Sequence, residues 1–278
     1  MCGLNLGPSG HAGYFKGARF EFRDTTIWFH PHMSGWGNGF PEFEPEAYLY
    51  SKTIEIAKYL CAESKQEFVV SMPSTYGNMD ALAHLKGSEN VLIDLVEEPV
   101  KVHDAMGKIQ EVFETNLKDV YSIVKDNNDG GSSIGWLQTW APGLHAQMQS
   151  DISVMISPDL FKEYILGELK TQSSYLQYPL YHFDGIEQIR HLDMLLSVKK
   201  LKMIQWTQVA GQPKVTEHIA QLRKIQSSGK GLLIIVEPYQ IEPLMEQLSS
   251  KGLVLVTQAS SREEANEIVK KVTKLTHE

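Results

Sequence analysis

The second half of the chain switches repeatedly between two hydrophobic periods, and that alternation limits the folds open to it. "YPLYHFDG" (178–185), "KMIQWTQV" (202–209), "GLLIIVEP" (231–238) and "GLVLVTQA" (252–259) are apolar runs of strand length. The segments between them are helical in period. Over 214–227 the residues Val215, Ile219, Leu222 and Ile225 recur at spacings of three and four, and Ala265, Ile268, Val269, Val272 and Leu275 form one stripe near the end. Ser261 followed by Glu264, and Ser157-Pro158-Asp159, are helix-start patterns. Repeated strand–helix units of this length predict a parallel sheet covered by helices. An open doubly wound sheet would favour a glycine-rich nucleotide loop after a strand, and neither GxGxxG nor GxxxxGK[ST] occurs. The expected fold is therefore α/β, a closed TIM-type barrel rather than an open doubly wound sheet.

The first half is less regular. "QEFVVSMPS" (66–74) reads as a strand, 97–126 as long helical material, and "KDNNDGGSS" (125–133) as a turn cluster before "IGWLQTWAPG" (134–143). The aromatic, Gly- and Pro-rich stretch 18–45 reads as a hairpin or an extended arm. No linker separates two parts, so 1–278 is expected to be a single domain.

Composition removes several function classes. A net charge of −8 supplies no phosphate-neutralising surplus, which argues against a nucleic-acid binder. No apolar run approaches the roughly 18 residues of a membrane span, and the N-terminus lacks a basic-then-apolar signal, so the cytoplasm is the expected address and no membrane partner is expected. Cys2 and Cys61 are the only cysteines and are expected to be unpaired, which excludes a thiolate-rich metal site.

One short run gathers chemistry. Along an extended 178–184, His182 and Asp184 share a face at the end of a strand, where barrel enzymes place catalytic groups. The bland alternative is a histidine oriented by a carboxylate and an aspartate capping a helix from 186. His191 and Asp193 lie about 200° apart on a helix and cannot face one site together; they read as structural. Arg190 reads as a solvated arginine. His30 and His32 in "WFHPHM" would face alike if extended. Trp136, Gln138, Gln205 and Trp206 are amphipathic aromatics and amides suited to a large flat cofactor, although tryptophans in a barrel are more often core. Ser71 lacks the tight elbow of an acyl-transfer nucleophile.

Four stretches, "LGPSGHAGYFKG", "DALAHLKGSENVLIDLVEEPVKV", "SDISVMISPDLFKEYILGELK" and "YHFDGIEQIRHLDMLLSVKKLKMIQW", together resemble the uroporphyrinogen decarboxylase superfamily, which includes the cobalamin-dependent methyltransferases. The resemblance is to a methyltransferase-like branch and covers most of the chain. It implies a (β/α)8 barrel with its site at the C-terminal strand ends. Relatives carry an additional N-terminal region with the first strand before the "LGPSG" block; here Met1 sits almost on that block, so the barrel is expected to lack or modify its N-terminal strand, or to close with help from a partner.

The resemblance also implies a site. "HFDG" stands where the family's methyltransferases have "HxCG", whose histidine and cysteine bind a zinc that activates a thiol acceptor. Asp184 replaces that cysteine, and "LVLVTQASS" offers no second one. His182, Asp184 and Glu237 are the expected ligands of a divalent metal, zinc being the family's ion, with a harder donor set; for Glu237 the alternative is a helix cap. Asp151 aligns with an aspartate near the family's active site and is a candidate catalytic residue beside His182 and Asp184. The expected function is methyl transfer between a small methylated compound or acceptor and a corrinoid carried on a partner protein; a homo-oligomer is compatible with it. A porphyrinogen decarboxylase is the first alternative, weakened by a chain holding only Arg19, Arg23, Arg190, Arg223 and Arg262 as arginines. A barrel that binds without catalysing is the second.

Overall fold

In the computed structural model every residue is described except 5, 7–9, 25 and 278. Gly7, Pro8 and Ser9 of the "LGPSG" block therefore lie outside the described residues. The chain divides into two compact units, Met1–Pro179 and Leu180–Glu278.

The first unit opens with an antiparallel hairpin, β1 (Arg19–Phe22) and β2 (Ile27–His30), the hairpin alternative for 18–45. Helices α1 (Tyr48–Ser64), α2 (Asn78–Lys86), α3 (Ser88–Glu97) and α4 (Pro99–Val124) follow. The long helical stretch is broken at Glu98–Pro99, because proline has no amide to continue α3 but is well placed in the first turn of α4. Val102, Ile109, Phe113, Leu117, Val120 and Val124 form the buried stripe of α4. The expected strand at 66–74 is reduced to single parallel bridges, Cys2 to Val70 and Met72 to Ile134. Short β3 (Ser132–Ile134) and β4 (Thr139–Ala141) pair antiparallel, and β5 (His145–Met148) leads into the turn that begins at Asp151. A helical run then comprises α5 (Pro158–Leu160), a π-helical turn Phe161–Ile165 and α6 (Leu166–Tyr175), with Ser157 Oγ accepting from the Leu160 amide at 3.3 Å as the start pattern predicts.

β6 (Tyr178–Asp184) begins against β5, the Gln177 and Tyr178 amides donating to Leu144 O at 3.0 Å each. The second unit carries it on through α7 (Leu192–Ser197), β7 (Met203–Thr207), α8 (Ile219–Ser227), β8 (Gly231–Ile235), α9 (Ile241–Met245), β9 (Leu253–Val256) and α10 (Arg262–Leu275). The sheet order is β5-β6-β7-β8-β9, and β6 through β9 pair in parallel. The expected alternation is thus present as a five-stranded parallel sheet with helices between its strands. A closed barrel is not seen among the described residues. Both cysteines are free thiols, and no helix is long and apolar enough to cross a membrane.

Candidate functional site

In the second unit, strand pairing decides what meets His182. The β6–β7 register sets His182 opposite Gln205 and Asp184 opposite Thr207, with Phe183 opposite Trp206. Strand alternation then separates two faces. On one, Phe183 and Trp206 stack at 4.7 Å with 20° between their planes, both buried. On the other stand His182, Asp184, Gln205 and Thr207.

That polar face is an ordered network. Gln205 Oε1 hydrogen-bonds His182 Nδ1, Thr207 Oγ1 lies 3.3 Å from the same nitrogen, and Gln205 Nε2 donates to Thr207 Oγ1 at 3.0 Å. A carbonyl oxygen facing Nδ1 assigns the ring proton to that nitrogen. Nε2 then turns its lone pair toward Asp184, whose Oδ1 is 3.9 Å away. A cation shared by the two, a proton or a metal ion, would interact favourably with both atoms. Two donors, each about 2.1 Å from a shared tetrahedral ion, stand about 3.4 Å apart, so the pair would close by about half an ångström to share one.

Asp184 is not a helix cap. Gly185, at φ 91°, takes the cap position of the 3-10 turn Ile186–His191, and the Ile186 amide donates instead to Gln212 Oε1 at 3.1 Å. Only glycine enters that left-handed conformation without steric cost. The chain therefore turns sharply past Asp184 and leaves its carboxylate, about one-third exposed, at the strand end.

Other expected site residues fall elsewhere. Glu237 is exposed at the start of the 3-10 turn Pro238–Gln240, its amide donating to Gln240 Oε1 at 2.9 Å. It has the capping role that was its alternative reading, and it is outside ligating reach of His182 and Asp184. Trp206 is core rather than a cofactor wall, wedged between Phe183 and His218. Gln205, its neighbour, is on the site face but engaged with His182. Asp193 is exposed and pairs with Lys224 at 2.5 Å, while His191 is buried.

In the first unit, Trp136 is partly exposed and donates through Nε1 to Gln147 Oε1 at 2.5 Å; Gln138 is exposed in a left-handed turn. His30 lies 3.6 Å from Glu21 on the hairpin, and burial holds His32 below the usual histidine range. Asp151 opens a 3-10 turn after β5, its Oδ2 accepting from Gln149 Nε2 at 2.9 Å. Its amide donates to Asp80 Oδ2 at 3.0 Å, and Asp80 also accepts from the Ile152 and Gly77 amides at 2.9 and 3.2 Å. Burial and the charge of Asp151 nonetheless push the Asp80 carboxyl above the usual carboxylate range. Sequence reading passed over Asp80; its signal was Gly77-x-x-Asp80 at a helix start.

Beside it, Glu168 is buried, its Oε1 accepting from the Asn78 amide at 2.6 Å and from Gln172 Nε2 at 3.0 Å. Burial pushes this carboxyl up to about 8. Buried His11 and His84 are lowered to about 3 and about 4, chiefly by burial. A carboxyl raised in the folded state stabilises below its unfolded value and loses that contribution as pH rises to its folded value. The two histidines act oppositely, but their contribution is complete above the ordinary histidine value of about 6.5. Between pH 6.5 and 8, Glu168 should therefore make the urea midpoint fall with rising pH. Glu168→Gln should flatten that slope; an unchanged slope would refute a neutral buried Glu168.

No known family model matches the chain, and no curated protein matches it either. Among solved structures, a methyltransferase from Methanosarcina mazei matches with a TM-score of 0.60 at 11% identity, over 93% of this chain and 74% of that one, a likeness of fold.

Proposed function

We propose that the protein is a metal-dependent, methyltransferase-like enzyme, with His182 and Asp184 as the core of its site. The observation that carries this reading is the His182 Nε2–Asp184 Oδ1 pair at 3.9 Å, with the proton fixed on the far nitrogen by Gln205. The likeness of fold to a methyltransferase agrees with it. Asp151 stays a candidate catalytic residue of the first unit in this proposal, and Glu237 is left out as a ligand. An imidazole and a carboxylate suit a divalent ion of harder character than a thiolate-rich site would select. When bound, such an ion would supply Lewis-acid activation of an oxygen or nitrogen on the methyl acceptor or donor.

The chain's own groups do the rest. Gln205 and Thr207 hold the His182 ring and its tautomer, as outer partners of metal-binding histidines do. Asp184 offers a carboxylate for charge or for a proton on the acceptor. In this proposal one barrel domain forms the site, and the corrinoid is carried by a partner protein.

The test is metal content after dialysis against zinc or manganese, followed by demethylation of methylcobalamin in the presence of small acceptors. About one ion per chain and metal-dependent demethylation are expected. A protein that takes up no ion and turns over no methylcobalamin would leave the non-catalytic binding reading. Gln205→Ala should weaken metal binding by about 10–100-fold while leaving the circular dichroism spectrum unchanged; unchanged affinity would show that the ring needs no such support.

A further inference from the structure

The second unit contains a cavity of about 680 Å³ at the end of the sheet opposite His182 and Asp184. Gly231 opens β8, Gly252 immediately precedes β9, and both line it, so it lies at the N-terminal strand ends. Its wall contains three cationic side chains, Arg223, Lys230 and Lys251, and no carboxylate among the described residues. In a chain with 34 acidic and 26 basic residues, that is the reverse of the average surface.

The cations are presented rather than consumed. Arg223 Nε donates to Gln247 O at 2.8 Å, which orients the guanidinium, and its Nη groups make no hydrogen bond or ion pair among the described residues. The Lys251 ammonium makes none either. Lys230 Nζ donates to Val198 O at 2.8 Å and Leu201 O at 3.0 Å, which leaves one N–H over. The frame is fixed as well: Gln226 Nε2 donates to Ser249 O at 2.7 Å, and the Ser249 amide donates back to Gln226 Oε1 at 3.1 Å. Like charges gathered in one wall repel unless an anion compensates them, and a guanidinium fork matches the paired oxygens of carboxylate or phosphate. The volume suits a small molecule.

We propose that this cavity is a binding site for a small anion of two or more charges, the chemistry shared by phosphate esters and dicarboxylates. The site is separate from the one assigned to methyl transfer and does not rest on that reading.

Calorimetric titration of metal-free full-length protein with inorganic phosphate, pyrophosphate and malonate tests it. Saturable binding that weakens with added salt is expected, and the preferred probe tells phosphate from dicarboxylate. Arg223→Gln and Lys251→Gln should each weaken it about tenfold, while His182→Ala leaves it unchanged. Lys251→Gln removes no hydrogen bond that its side chain makes, so it remains informative if Arg223→Gln misfolds. Absence of saturable binding by all three anions, or equal binding in wild type and Lys251→Gln, would overturn the proposal.

Discussion

His182→Ala and Asp184→Ala should each reduce the bound divalent ion from about one per chain to background, with the fold retained. Neither residue is in the apolar packing of β6, which runs through Leu180, Tyr181 and Phe183. Both are partly exposed, so alanine removes donors and leaves no large cavity. Losing one of its protein ligands removes a large share of the binding free energy, because the ion must then complete its shell with water. Elemental analysis of dialysed wild type and variants, with circular dichroism as the control for folding, reads the result directly. Equal metal content in all three proteins would return His182 and Asp184 to an ordinary hydrogen-bonded pair.

Trp206→Ala is expected to have the largest effect on stability, a loss of about 3–5 kcal/mol. The indole is only 1% exposed, stacked on Phe183 and tilted 35° against His218 at 5.5 Å. Its removal forfeits a large apolar area and leaves a hole that neighbours anchored in strands cannot close. Since Trp206 and Gln205 point to opposite faces of β7, the metal content of the folded fraction should stay at the wild-type level. Urea unfolding monitored by circular dichroism gives the first quantity. A loss below about 1 kcal/mol would mean that the indole is not core.

The same pair shows how far sequence reading reached. Gln205 and Trp206 were both expected to face a cofactor, yet adjacent residues of one strand cannot share a face. The periodicity argument that correctly aligned His182 with Asp184 would have separated these two. Glu237 illustrates a different limit. A carboxylate at the end of a strand and before Pro238 is equally consistent with a ligand and a helix start, and local spacing does not distinguish them. Asp80 was passed over because its significance comes from the amides of Asp151 and Ile152, which lie about seventy positions along the chain.

By itself, the sequence determined what repeats over a few residues. It predicted the strand–helix alternation from 178 onward, the caps at Ser157 and Ser261, and the common face of His182 and Asp184. These follow from backbone periods and hydrogen bonds that span three or four positions. Only the tertiary structure decided that Gln205 holds His182 Nδ1, that Gly185 rather than Asp184 takes the cap position, that Trp206 is core, and that Asp80 and Glu168 are buried carboxyls. Those outcomes depend on strand register and on burial, and both are set by packing between segments distant in the chain, which no local spacing encodes.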